Sequence, residues 1–110
     1  MSRDALGNFE LMVLLAVLQV GDGAYGVPIA REIEDKSGRE ILLGSVYAAL
    51  ERLEAKGLVA SSIGDPTAAR GGRAKKYFRV TAKGLREARD TRRALEGLWR
   101  GLPQLHGGGA

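Results

Sequence analysis

Five cations stand within ten residues of this chain, namely Arg70, Arg73, Lys75, Lys76 and Arg79, and no acidic residue interrupts them. A cluster of that density attracts a polyanion. The whole chain of 110 residues carries +4, from 17 Lys and Arg against 13 Asp and Glu. Apart from those five, 12 basic groups face 13 acidic ones, so the excess sits in this one segment. Runs of Lys and Arg also occur on plain solvated loops, so the cluster has to be weighed with its surroundings.

Patterns that would suit catalysis fail on their chemistry. Gly21-x-Gly23-x-x-Gly26 has the glycine spacing of a dinucleotide-binding turn. That turn also needs an acidic residue about 20 positions further on and a complete βαβ unit. Position 46 is Val and no second unit follows, so this is a plain turn. The single histidine, His106, lies in a glycine-rich tail, which leaves no His-based triad or metal cluster. Cysteine is absent, which removes disulfides and thiol chemistry and suits a reducing compartment. Glu51 with Glu54, and Glu32 with Asp35, share helix faces at i,i+3. Arg31, Lys36, Arg52 and Lys56 stand nearby, which favours surface ion pairs over acid–base work. The expectation is no enzyme, no catalytic residue, no cofactor and no metal.

Hydrophobic period and punctuation predict the elements that must carry the cluster. Residues 8–20 are an apolar stretch closed by Gly21-Asp22-Gly23, a helix buried on all sides or shared with a second subunit. A second helix starts around Gly26 to Pro28, buries Ile29, Ala30 and Ile33, and ends at Gly38. Residues 40–43 read as a short extended connection. A third helix runs from about Ser45 to Lys56, with Val46, Ala49, Leu50 and Leu53 turned inward. Ser45, Ala48, Arg52 and Ala55 then lie outward, and the outer surface is bare near the N-terminus.

Residues 58–63 and 75–80 are β-prone and flank a Pro- and Gly-containing loop, a hairpin with the basic cluster at its tip. Thr81 is a good N-cap for a last helix reaching about Leu102, where Pro103 stops it. Leu85, Ala88, Leu95, Trp99 and Leu102 recur there at three- and four-residue steps, broken by Arg92. That is a short coiled-coil-like seam for a dimer. The longest apolar run, Leu11 to Leu18, is well short of the roughly 18 residues a membrane span needs. Asp4 and Glu10 argue against a signal peptide, so a cytoplasmic protein without membrane contact is expected.

Hydrophobic residues at 45% and charged residues at 27% suit one folded domain. Three helices, a hairpin with a basic tip and a long helix follow the order of a winged helix-turn-helix. The expected fold is therefore mainly α with a small β hairpin. Its parts are a DNA-binding domain over residues 1–80, a dimerisation helix over 81–103 and a disordered tail over 104–110.

Several segments together resemble the PadR-type transcriptional regulators. They are Tyr25-Gly26-Val27-Pro28-Ile29, the stretch from Leu43 to Glu54 (LGSVYAALERLE), Lys56-Gly57-Leu58-Val59, and residues 72–84 (GRAKKYFRVTAKG). Tyr25 and Ala48 depart from residues common in that family, His and Pro, and are expected to tune the turn and the base contacts. The resemblance implies that Ser45 and Tyr47 meet the DNA backbone, with Ala48 beside them, and that Arg52 reaches a phosphate or a guanine edge. Tyr47 has a second reading, packed between the second and third helices with only its hydroxyl exposed. In the wing, Arg70, Arg73 and Lys75 are the expected DNA contacts, while Lys76 is either a further contact or, like Arg79, lies along the strand.

Trp99 is read as a dimer anchor. The resemblance adds a second role, stacking a flat apolar effector at the dimer interface. The expected partners are double-stranded DNA, a second copy of the chain and a small aromatic effector. The expected activity is a dimeric repressor reading a pseudo-palindromic operator. A winged-helix module that binds protein without specific DNA binding is the alternative.

Overall fold

The first helix, α1, spans Asn8–Val20 and turns Val13, Leu14, Ala16 and Val17 into the core, leaving Leu15 and Leu18 exposed. Of the two alternatives for this apolar helix, full burial is therefore excluded within a single chain. The computed structural model describes residues 6–64 and 75–105. Arg70 and Arg73 of the basic cluster, and the glycines expected to be disordered near the C-terminus, lie outside the described residues. Helix α2 covers Gly26–Ser37 and closes on Gly38 in the left-handed region. Helix α3 covers Leu43–Ala55, taking in Leu43 from the stretch expected to be extended.

Strands β1 (Val59–Ile63) and β2 (Lys76–Val80) pair antiparallel, with Val59 opposite Val80 and Ile63 opposite Lys76. The Phe78 amide also donates to the Ala24 carbonyl at 2.8 Å, which fastens β2 to the turn between α1 and α2. Val13, Leu14, Ile29, Val46, Leu50, Leu53 and Leu58 are fully buried where the three helices meet the start of β1. A large aliphatic side chain removed from water contributes roughly 1.5–3 kcal/mol, so this cluster is what holds the body together.

Helix α4 spans Ala82–Trp99 and joins that body only at its first turns. Thr81 does two things there: its hydroxyl oxygen accepts from the Gly84 amide at 3.0 Å and its O–H donates to the Gly57 carbonyl at 2.7 Å. Gly84 lies directly on the chain at Leu58, and a Cβ there would collide with the Leu58 carbonyl and the Val80 side chain. Ala88 still packs on the core, but from Arg92 onward every residue of α4 is exposed. The helix ends at Trp99, three residues before the expected stop, because Arg100 adopts an extended ψ of 135°. Leu102 therefore lies past the helix, just before a 3-10 turn over Pro103–Leu105 that takes in two residues expected to belong to the tail.

Among the described residues one charged group sits inside this apolar assembly. Glu10, buried on α1, accepts from Arg52 Nε at 2.8 Å and from Lys56 Nζ at 2.6 Å, both on or next to the end of α3. Burial alone would raise its carboxyl pKa, but the hydrogen bonds from Lys56 and Arg52 outweigh it and hold the group below the ordinary glutamate range.

Two outcomes follow for stability. Gly84→Ala should lower it by about 1–3 kcal/mol, the usual cost of overpacking, because the obstacle is backbone. Chemical denaturation of the two proteins checks this. Because folding depresses the Glu10 pKa, its contribution is full at neutral pH and is lost as pH falls through the carboxylate range, below about 4.3. Glu10→Gln should cost roughly 1–2 kcal/mol at pH 7, between the values for exposed and buried pairs, since Arg52 keeps solvent access. The difference between the two proteins should shrink in acid, and a pH series of thermal melts would show it.

Candidate nucleic-acid interface

Helix α3 begins without a side-chain cap, its N-cap position being Leu42, which is 78% exposed. The first backbone N–H groups of any helix lack intrahelical acceptors, and here no described side chain supplies one. An anion meets both those donors and the positive end of the helix dipole at such a terminus. Ser45 and Ala48 are exposed just beyond it.

Tyr47 packs against α2, as its second reading has it, but with the hydroxyl turned toward Gly26 rather than to solvent. Its ring lies over Gly26 at the start of α2, so close that any Cβ at position 26 would clash with it, yet the residue remains 40% exposed. Only glycine lets the ring settle there, which fixes α3 against α2 while its rim stays open to solvent.

The hairpin's base is built around a pair of tyrosines. Tyr25 and Tyr77 meet edge to face, with ring centroids 5.8 Å apart, and Lys75 Nζ stands 4.9 Å over the Tyr25 ring. Such contacts hold an ammonium in place without neutralising it. Lys76 instead pairs with Glu54 at 3.5 Å and lies along β2, as does Arg79. Glu54 is held below the ordinary carboxylate range, first by the Ser61 hydroxyl at 2.5 Å and then by Lys76. Lys76 thus braces the strand against α3, while Lys75 and Arg79 are exposed and carry no ion pair among the described residues.

Arg52, expected at a phosphate or a guanine edge, has its Nε committed to Glu10. Its side chain remains half exposed, so any phosphate contact would use its terminal N–H groups. The ion pairs expected around the acidic pairs are found for Glu32 with Lys36, whose pKa is raised by that hydrogen bond, but not for Glu51. Sequence reasoning missed Glu10. The usable signal was a lone carboxylate in the first turn of an otherwise apolar helix, which is stable there only when paired.

Away from this face, Leu95, Trp99 and Leu102 are exposed, as are Leu98 and Leu105, which the seam pattern had left out. Leu85 and Ala88 are half-buried, Ala88 against its own core, so the free part of the seam starts at Leu95. A groove between α1 and α2, lined by Met12, Leu15, Ala16, Gln19 and Ile33, adds to the open apolar surface. Among the described residues no helix is long and apolar enough to cross a membrane, and no cluster of His, Cys, Asp and Glu could hold a metal ion.

A profile of the transcriptional regulator PadR-like family matches residues 14–90. Among solved structures, a PadR family transcriptional regulator from Eggerthella lenta shares 30% identity at a TM-score of 0.68, over 86% of this chain and 80% of that one. A PadR family transcription regulator from Clostridium difficile shares 23% identity at a TM-score of 0.72, over 89% of this chain and 98% of that one. A transcriptional regulator from Clostridium thermocellum, at 24% identity, superposes with a TM-score of 0.67 over 81% of this chain and 83% of that one. Among curated proteins no relative matches. The match spans the three-helix core, the hairpin and the start of α4, and with it the chain belongs to the PadR-like family of transcriptional regulators.

Proposed function

We propose that this regulator is a homodimeric repressor that binds a pseudo-palindromic operator through α3 and the wing. The observation that carries the reading is the uncapped, outward-facing N-terminus of α3 in a chain whose cations concentrate in the adjoining hairpin. The first turn of α3 would receive a phosphate while Ser45, Tyr47 and Ala48 lie against the groove edge. Lys75 and the sequence-adjacent Arg70 and Arg73 would follow the neighbouring backbone, and Lys76 and Arg52 would keep strand and helix in register behind them. Repression would be steric, since a dimer seated on an operator blocks the same stretch of duplex to other proteins.

The second copy is supported by the exposed apolar side chains of α4 and α1. Trp99 at 56% and Leu98 at 75% exposure are costly to leave in water. An isologous contact through them would set two copies of α3 about 34–36 Å apart, one turn of duplex. A flat effector beside Trp99 would also need that second copy, because among the described residues nothing encloses the indole.

Titration of labelled upstream DNA against excess unrelated duplex at two salt concentrations tests the reading. Competition-resistant binding with a steep salt dependence is the expected result. Replacing Arg70, Arg73 and Lys75 by Ala should lower the slope of log K against log salt by about 0.9 for each phosphate no longer neutralised. Equal competition by every DNA, with capture by a protein partner that survives those substitutions, would favour the protein-binding module instead.

Sedimentation of the unsubstituted chain at micromolar concentration should give twice the chain mass. The double change Leu95→Glu and Leu98→Glu should give monomers that keep the winged-helix body but lose specific operator binding. A monomeric unsubstituted chain would overturn the dimer.

A further inference from the structure

We propose that Glu51 determines sequence specificity, its carboxylate selecting cytosine in the major groove through the N4 amino group; this rests on the DNA reading above. An α-helix turns about 100° per residue. Positions 44, 48, 51 and 55 therefore form one stripe, opposite the buried Val46, Ala49, Leu50 and Leu53. On that stripe Gly44, Ala48 and Ala55 carry nothing beyond Cβ, and Glu51 is the only side chain that reaches outward.

The neighbouring charges are already committed. Arg52 and Lys56 hold Glu10, and Glu54 holds Ser61 and Lys76. Glu51 has no hydrogen bond or ion pair among the described residues. The sequence denies it one locally: its i±3 and i±4 neighbours are Ala48, Glu54, Tyr47 and Ala55, with no cation among them. A surface carboxylate serving helix stability would have one there.

An unpaired carboxylate on the face that meets DNA is repelled by phosphates and tolerates few base edges. Guanine presents two acceptors in the major groove, and thymine an acceptor and a methyl group. Adenine offers an amino donor, but beside the N7 acceptor. Cytosine N4 offers a donor with no acceptor next to it on the same base, and is the edge a carboxylate accepts from. The small residues at 44, 48 and 55 let the helix approach closely enough for a two-methylene side chain to reach it. A guanine or thymine edge would leave the carboxylate stripped of water against acceptors, and adenine N6 would bring N7 with it, so the discrimination is on the order of tenfold at that position.

Selection of binding sites from a random duplex library, with the unsubstituted protein, Glu51→Gln and Glu51→Ala, tests this. The unsubstituted protein should enrich one C·G pair in each half-site. Glu51→Gln should move that position alone to A·T, since a side-chain amide pairs with adenine N6 and N7. Glu51→Ala should erase the preference there and raise affinity for unrelated DNA, because a repulsive charge is gone. Circular dichroism should be unchanged in both variants, and a merely structural effect would blur every position rather than recode one. Identical motifs from all three proteins would overturn the proposal and leave the DNA reading standing. No enrichment by the unsubstituted protein would overturn both.

Discussion

The carboxylate of Glu10 ties α1 to α3 through two cations. Among the described residues it is the one charged group taken out of water, and it is tolerated only because Arg52 and Lys56 reach it from the far end of α3. Its own helix carries the exposed Leu15 and Leu18, while α3 carries the face proposed to meet DNA. Hydrophobic packing between α1 and α3 is non-directional and would allow the helices to slide. A two-cation hydrogen-bonded clamp is directional, so the orientation of α3 is referred to α1 rather than merely pressed against it.

A comparable economy governs the second join, between the hairpin and α4. Thr81 caps α4 and ties it to the turn at Gly57 with a single hydroxyl, and Gly84 lets the helix lie on the backbone at Leu58. The strand that carries the wing therefore runs straight into the helix expected to meet a second copy. Hairpin, α3 and α4 meet at Leu58, whose amide donates to the Leu53 carbonyl and whose carbonyl accepts from the Thr81 amide.

Much of this was legible in the sequence because it is local. The apolar period of residues 8–20, the stops at Gly21 and Gly38, the strand pair around a glycine-rich loop and the Thr81 cap all report on neighbours a few residues apart. What escaped is non-local or unmarked. Arg52 reads as an exposed cation on a helix, and nothing within a turn announces a partner 42 residues earlier. The start of α3 escaped because Ser45, a capping residue type, stands inside the first turn rather than before it, and the end of α4 because the apolar steps continue through Leu102 after the backbone has turned extended at Arg100. Tyr47 could not be assigned from sequence because its placement depends on the absence of a side chain at Gly26.

The far half of α4 has a thermodynamic consequence. The molecule measures 56 Å along its longest axis, and from Arg92 onward every residue of the helix is exposed. Those last two turns have no core contacts of their own, so a partner covering them would add to their stability. With a second copy as the cover, folding of the arm and association are one equilibrium, and the folded fraction depends on concentration. Such a regulator would be sensitive to its own abundance: dilution would loosen the arm, and with it the spacing of the two reading heads, before the winged body lost any structure.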